Sequence, residues 1–185
     1  MAADRPARFK VPTLSCTTAT RAIGPAAGVK VNNYKTFSSA FLFTGCVNGK
    51  AINYPALVIN GNEVDYPASP LPAGDVVKLT TTVTTVGTTV QVTDVTTGAT
   101  KKRTGTGASA SAAFIGDSAW STSTGTLLGV PNFGTLTFTH CRIDGGALAI
   151  ALPYQYQRVN SNNIVQIATG ALSAGTAFAT YYKHS

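Results

Sequence analysis

Glu63 is the only glutamate in the chain, and it stands two residues from Asp65 in Asn60-Gly-Asn-Glu-Val-Asp-Tyr-Pro67. Residues i and i+2 of a strand share a face. Two carboxyls held on one face drive their pKa values apart, into an acid and a base suited to hydrolysis. Gly61 and Asn62 fit a turn equally well, and in a turn both carboxyls are solvated and ordinary; both readings stay open. Ser15, Ser39 or Ser111 with His140 would supply a nucleophile and a base, but no strand–elbow–helix motif surrounds any of them. His140 and Cys141 are neighbours in sequence, so on a strand they point to opposite faces and do not converge on one ion. No CxxC or Cys/His cluster is present, and neither a metal nor a cofactor is expected. The three cysteines leave two readings: a Cys16–Cys46 disulfide, or three buried thiols.

Two further groups of side chains can bind rather than react. Lys101-Lys102-Arg103 beside a hairpin, like Arg5, Arg8 and Lys10 near the start, can meet phosphate or an acidic partner. No nucleic-acid motif accompanies them, so nucleic acid is not the expected partner. Tyr154 and Tyr156, spaced by one residue, form an aromatic pair on one strand face that suits a glycan or another protein chain.

The elements that must position these groups are strands. The 185 residues carry a net charge of +7, only 11% charged side chains and 44% hydrophobic ones, with 18 glycines and abundant threonine. Val77, Leu79 and Val83 share one face of a strand over Val76 to Val86, and Val90, Val92 and Asp94 one face of the next. Thr96-Thr97-Gly98 reads as the following hairpin turn. Thr135 to His140 alternates cleanly, Ala147 to Leu152 reads as a strand buried on both faces, and only Ala168 to Ala174 carries a faint helical period. Short strands with regular turns predict an all-β sandwich or barrel. The expected organisation is a basic N-terminal arm over residues 1–12 and a single domain over 13–185. No apolar run is long enough to cross a membrane, and no secretory signal is read at the start.

Val11-Pro-Thr-Leu-Ser-Cys16, Tyr66-Pro-Ala-Ser-Pro70, Ala73-Gly-Asp-Val-Val77, Val92-Thr-Asp-Val-Thr-Thr-Gly98 and Asn132-Phe-Gly-Thr-Leu-Thr-Phe138 stand in an order that resembles the eqolisins, the glutamic peptidases. Ile164 to Thr169 and Ala171 to Phe178 are similar to that family's closing strands. The resemblance implies an antiparallel two-sheet β-sandwich of concanavalin or jelly-roll type, curved around a groove, and across it a Glu general base facing a Gln that holds the oxyanion. The family's Glu falls at Ala113, in Ser111-Ala-Ala-Phe-Ile115, and its Gln near Ser39, so neither catalytic side chain is present. Trp120 is the only tryptophan, and the family's groove tryptophans are missing. Asp117 falls near a second acidic position of the family's segment, or is a plain loop carboxylate.

The expectation from these residues is a non-catalytic eqolisin-like sandwich, a structural or assembly protein such as a shell or decoration subunit of a virion. Its partners would be other protein subunits, and its setting extracellular or virion-associated. The first alternative is an acid-acting glutamic-type endopeptidase with a rearranged catalytic pair that uses Glu63. The second is a carbohydrate-binding module.

Overall fold

The computed structural model describes residues 3–121, 124, 126–151 and 153–184. In chain order the strands are β1 (Ala3–Lys10), β2 (Arg21–Val31), β3 (Thr36–Val47), β4 (Lys50–Ile59), β5 (Asn62–Asp65), β6 (Val76–Val83), β7 (Thr88–Asp94) and β8 (Thr100–Gly105). They continue with β9 (Ala110–Ala119), β10 (Thr135–Phe138), β11 (Arg142–Ile143), β12 (Gly146–Ala147), β13 (Arg158–Val159), β14 (Val165–Thr169) and β15 (Phe178–Tyr182). One 3-10 turn, Leu148–Ala151, follows β12.

One layer is a five-stranded antiparallel sheet in the order β5-β4-β3-β2-β9. The other consists of two four-stranded sheets, β1-β6-β7-β8 and β10-β15-β14-β13. A bridge between Arg8 and Thr139 joins them, with N–H···O distances of 2.8 and 2.7 Å. The chain is therefore all-β, as its alternating Val and Thr runs predict, and a sandwich rather than a barrel. Ala27, Ala40, Leu42 and Leu57 of the first layer pack on Val77, Leu79, Val90 and Val92 of the second. Phe138 extends that core, stacked on Phe178 at 4.9 Å and tilted against Phe9 at 5.4 Å.

Local chemistry explains the better-read segments. β7 buries Thr88, Val90, Val92 and Asp94 on one face, as alternation requires. Asp94 ends that strand by accepting the backbone N–H groups of Thr96 and Thr97 at 2.9 and 3.3 Å, and Gly98 closes the turn at φ 81°. Burial works against its ionised form, but the hydrogen bonds from Thr97 and Thr96 prevail and hold its pKa below the ordinary value. Cys16 and Cys46 form a disulfide with Cα atoms 5.4 Å apart, which ties the segment before β2 to the end of β3. Cys141 is a buried free thiol.

Elsewhere the structure differs from the sequence reading. The basic segment expected to be an arm is strand β1, paired along its length with β6, from Ala3 opposite Val83 to Lys10 opposite Val76. Ala147 to Leu152 is not a buried strand: after β12 the chain turns, Ala149 and Ile150 are exposed, and Leu152 lies outside the described residues. An apolar run without polar alternation does not separate a strand from a tight turn. Tyr154 and Tyr156 sit in irregular backbone rather than on a strand face. Ala168 to Ala174 carries no helix; β14 ends at Thr169 and a turn at Ser173 follows.

Candidate active site

The β4–β5 hairpin decides where the carboxyls stand. Asn60 and Gly61 take positive φ of 49° and 84°, as a two-residue hairpin turn demands, and Ile59 pairs with Asn62. Glu63 then lies opposite Val58, and Asp65 opposite Ala56. Directly opposed residues share a face, and Val58 and Ala56 belong to an apolar cluster with Ala26 and Phe41, on the side of the sheet away from the second layer. Glu63 and Asp65 therefore occupy a strand, not a turn, and both project to that outer face. Arg103 of β8 fixes the hairpin from below by donating to the carbonyls of Leu57 and Asn62.

Six aromatic rings pave this outer face. Phe114 meets Phe37 at 6.4 Å, Phe37 meets Phe41 at 6.0 Å, and Phe41 meets Trp120 at 5.9 Å, all edge to face. Trp120 in turn abuts Phe43 at 4.9 Å, and Phe43 stacks flat on Tyr54 at 4.6 Å. Glycines let the rings lie this low. A Cβ at Gly28 would stand 2.4 Å from the Phe114 ring and 2.5 Å from Ser39 Oγ, and one at Gly24 would stand 2.9 Å from Trp120. β3 is thus apolar on both sides: its Ala40 and Leu42 fill the core, and its Phe37 and Phe41 serve this face.

The electrostatics of the face are those of a crowded carboxyl pair. The Glu63 side chain is exposed, yet its carboxyl is partly withdrawn from water and lies against Asp65. Desolvation first, then the Asp65 charge and a shared hydrogen bond, push its pKa up to about 7. Tyr54 is half-buried beside the pair, and burial, then Asp65 and Glu63, push its phenol up to about 12. It remains an O–H donor at every pH of interest. Sequence reasoning missed Tyr54. The signal available was its place in a strand whose hairpin partner carries the two carboxyls.

The positions marked by the eqolisin resemblance are arranged differently. Ala113 pairs with Val29, which packs with Val31, Val83 and Ala108, so it faces the space between the layers. Phe114 is the β9 residue that reaches the aromatic face. Ser39 is on that face, buried, and donates its hydroxyl to the Ala27 carbonyl at 3.0 Å. Trp120, the lone tryptophan, is part of the paving. Asp117 is not a loop carboxylate: it sits in β9, accepts a hydrogen bond from Thr180 Oγ1 and keeps a buried, unpartnered Oδ1. Burial pushes its pKa up to about 6, against the Thr180 bond and the Arg158 charge.

The remaining candidates are dispersed. Lys101 lies over the Tyr66 ring at 5.5 Å and Arg103 is committed to the β4–β5 hairpin, whereas Lys102 is exposed on the other side of β8. Tyr154 and Tyr156 are 87% and 80% exposed, away from any described ring. Among the described residues no serine joins His140, whose Nδ1 contacts Thr139 Oγ1; Ser111 Oγ accepts the Asn33 N–H instead. Among the described residues no three His, Cys, Asp or Glu side chains converge on a metal position. The two hollows beside the Pro-rich loop share Pro70, Leu71 and Pro72; one of them reaches Tyr54, and neither includes Glu63.

Fold and face together define an antiparallel β-sandwich with carboxyls gathered on one aromatic sheet face. The model of the Peptidase A4 family matches residues 6–177, and the chain belongs to that family. Among solved structures it is similar to aspergilloglutamic peptidase from Aspergillus niger, at a TM-score of 0.75 and 15% identity over 88% of this chain and 99% of that one. It is also similar to scytalido-glutamic peptidase in complex with a transition state analog inhibitor (TM-score 0.73, 16% identity, 98% and 92% covered). A third is SCP-B, a member of the eqolisin family in complex with the tripeptide Ala-Ile-His (TM-score 0.70, 14% identity, 98% and 92% covered). These likenesses establish the shared fold. No curated protein matches the sequence significantly.

Proposed function

We propose that the protein is an acid-acting endopeptidase of the glutamic-peptidase type whose working carboxyls are Glu63 and Asp65. The observation that carries this reading is their placement, side by side on the aromatic face with the Glu63 pKa pushed up to about 7. Membership of the Peptidase A4 family supports it.

In this reading Asp65 takes a proton from a water whose oxygen attacks the scissile carbonyl carbon. Tyr54 donates its O–H to the oxygen on which negative charge develops. The tetrahedral intermediate then collapses as the C–N bond breaks, and Glu63, protonated below about pH 7, gives its proton to the leaving amine nitrogen. The proton on Asp65 returns to Glu63 when the acid and amine products leave. Ala113 and Ser39 take no part.

The test is peptide release from an unfolded protein substrate between about pH 3 and pH 7, read by mass spectrometry. The wild type is expected to cleave, and Glu63→Gln and Asp65→Asn to lose cleavage while keeping their melting temperature. A wild type that releases nothing sinks the proposal. It would favour the second reading, a non-catalytic assembly protein, to which the exposed Ile150, Tyr154 and Tyr156 offer a surface.

A further inference from the structure

We propose that Lys30 makes the aromatic face selective for peptides that carry a carboxylate about five residues from the bond at Glu63; this rests on the peptidase reading and names its substrate class. Lys30 is exposed, and its Nζ lies 5.2 Å from the Phe37 ring centroid and 6.0 Å from that of Phe114. Two rings hold a cation that has no carboxylate opposite it, because its register partners are Phe37 and Ala112. Among the described residues no hydrogen bond or ion pair involves its ammonium group. A β-bulge sits at this point: Lys30 pairs with Ala112 but Val31 with Ala110, so Ser111 is the extra residue. Bulges re-aim the side chains beside them.

A lysine on a sheet face ordinarily reaches out to water. Here it lies along the paving, at the far side of the face from the carboxyl pair. Lys30 is on β2 and Glu63 on β5, three strand steps apart in the order β5-β4-β3-β2. With strands about 4.8 Å apart and one two-residue step along them, the backbones are separated by roughly 16 Å, which is about five residues of extended peptide. A peptide laid across the rings thus meets negative charge at one end and positive charge at the other. Its carboxylate-bearing end belongs over Lys30, and the opposite orientation sets like charges together.

Trp120, the sole tryptophan, is part of the same paving and reports binding without any requirement for cleavage. The experiment titrates Glu63→Gln protein, chosen so that peptides stay intact, with blocked decapeptides built on a neutral sequence at pH 6 and reads Trp120 fluorescence. Each peptide carries one Glu, Gln or Lys at a stepped distance from its centre; a further pair compares a free with an amidated C-terminus, which separates a side-chain carboxylate from a chain-end one. The Glu peptide or the free-acid peptide is expected to bind about three- to fivefold tighter than its neutral counterpart. Lys30→Gln should equalise them, and Lys30→Glu should favour the Lys peptide, with melting temperatures unchanged. Equal affinities in the Lys30 protein, no binding, or a preference that survives Lys30→Gln would overturn the inference. Because the readout is binding, a failure of Glu63 as the acid would appear separately, as absent cleavage with the charge preference intact.

Discussion

Tyr54 is where a single atom can be removed and its role read. Phenylalanine preserves the flat stack on Phe43 and takes away only the hydroxyl. Tyr54→Phe is therefore expected to lower kcat about a hundredfold with KM little changed, the pattern of a donor used only in the transition state, checked by steady-state kinetics at pH 5. Asp117 makes a residue-level prediction about stability instead. Its carboxyl holds a proton to about pH 6 in the fold but releases it near 3.8 when unfolded, so protonation favours the folded state. Stability should rise as pH falls from about 6 to about 4 and stay level above that window. Asp117→Asn should remove this part of the rise, as melting temperatures measured across pH 4–7 will show. At this scale the sequence was only partly legible. Glu63 and Asp65 were visible as an i, i+2 pair, but whether they sat on a strand depended on a turn closing in two residues at Asn60–Gly61. Ala113 illustrates the opposite problem: which residue of Ala113-Phe114 reaches the outer face is set by pairing with Val29 and Gly28, which composition does not record.

Among the elements, the β4–β5 hairpin carries Tyr54 and the two carboxyls, β3 beside it carries Phe37, Phe41 and Phe43 of the paving, and the Cys16–Cys46 disulfide anchors the end of β3. The disulfide closes a loop with a sequence separation of 30, for which chain-entropy arguments give about 3–4 kcal/mol. Cys16→Ser paired with Cys46→Ser should lower the melting temperature by about 10 °C, read by calorimetry. An unchanged transition would mean that β3 holds its place without it. β6, β7 and β10 were readable because one face is buried and the other wet, so alternation survives in the sequence. β3 was not, since both its faces are apolar: one packs in the core and the other paves the face beneath Trp120. The strand over Ala3–Lys10 was mistaken for an arm because its charged residues alternate with Ala7 and Phe9, which enter the core opposite Leu79 and Val77.

For the whole molecule, acid pH acts through few groups. Seven carboxyls stand against 14 Lys and Arg, and the two whose pKa values are pushed up, Glu63 and Asp117, each bind a proton more tightly in the fold than out of it. Asp94 has the opposite sign: its contribution is complete above its ordinary pKa and is lost as pH falls through its lowered one. The sandwich is therefore expected to melt at a higher temperature near pH 5 than near pH 7.5, and the Glu63→Gln, Asp117→Asn double variant to show a flatter profile. The measurement that most directly tests the central claim is the pH dependence of kcat/KM for one neutral peptide. If Glu63 must be protonated to release the amine, activity is high under acid conditions and falls as pH rises through about 7. Cleavage that continues undiminished well above pH 7 would contradict the account and place the acid elsewhere.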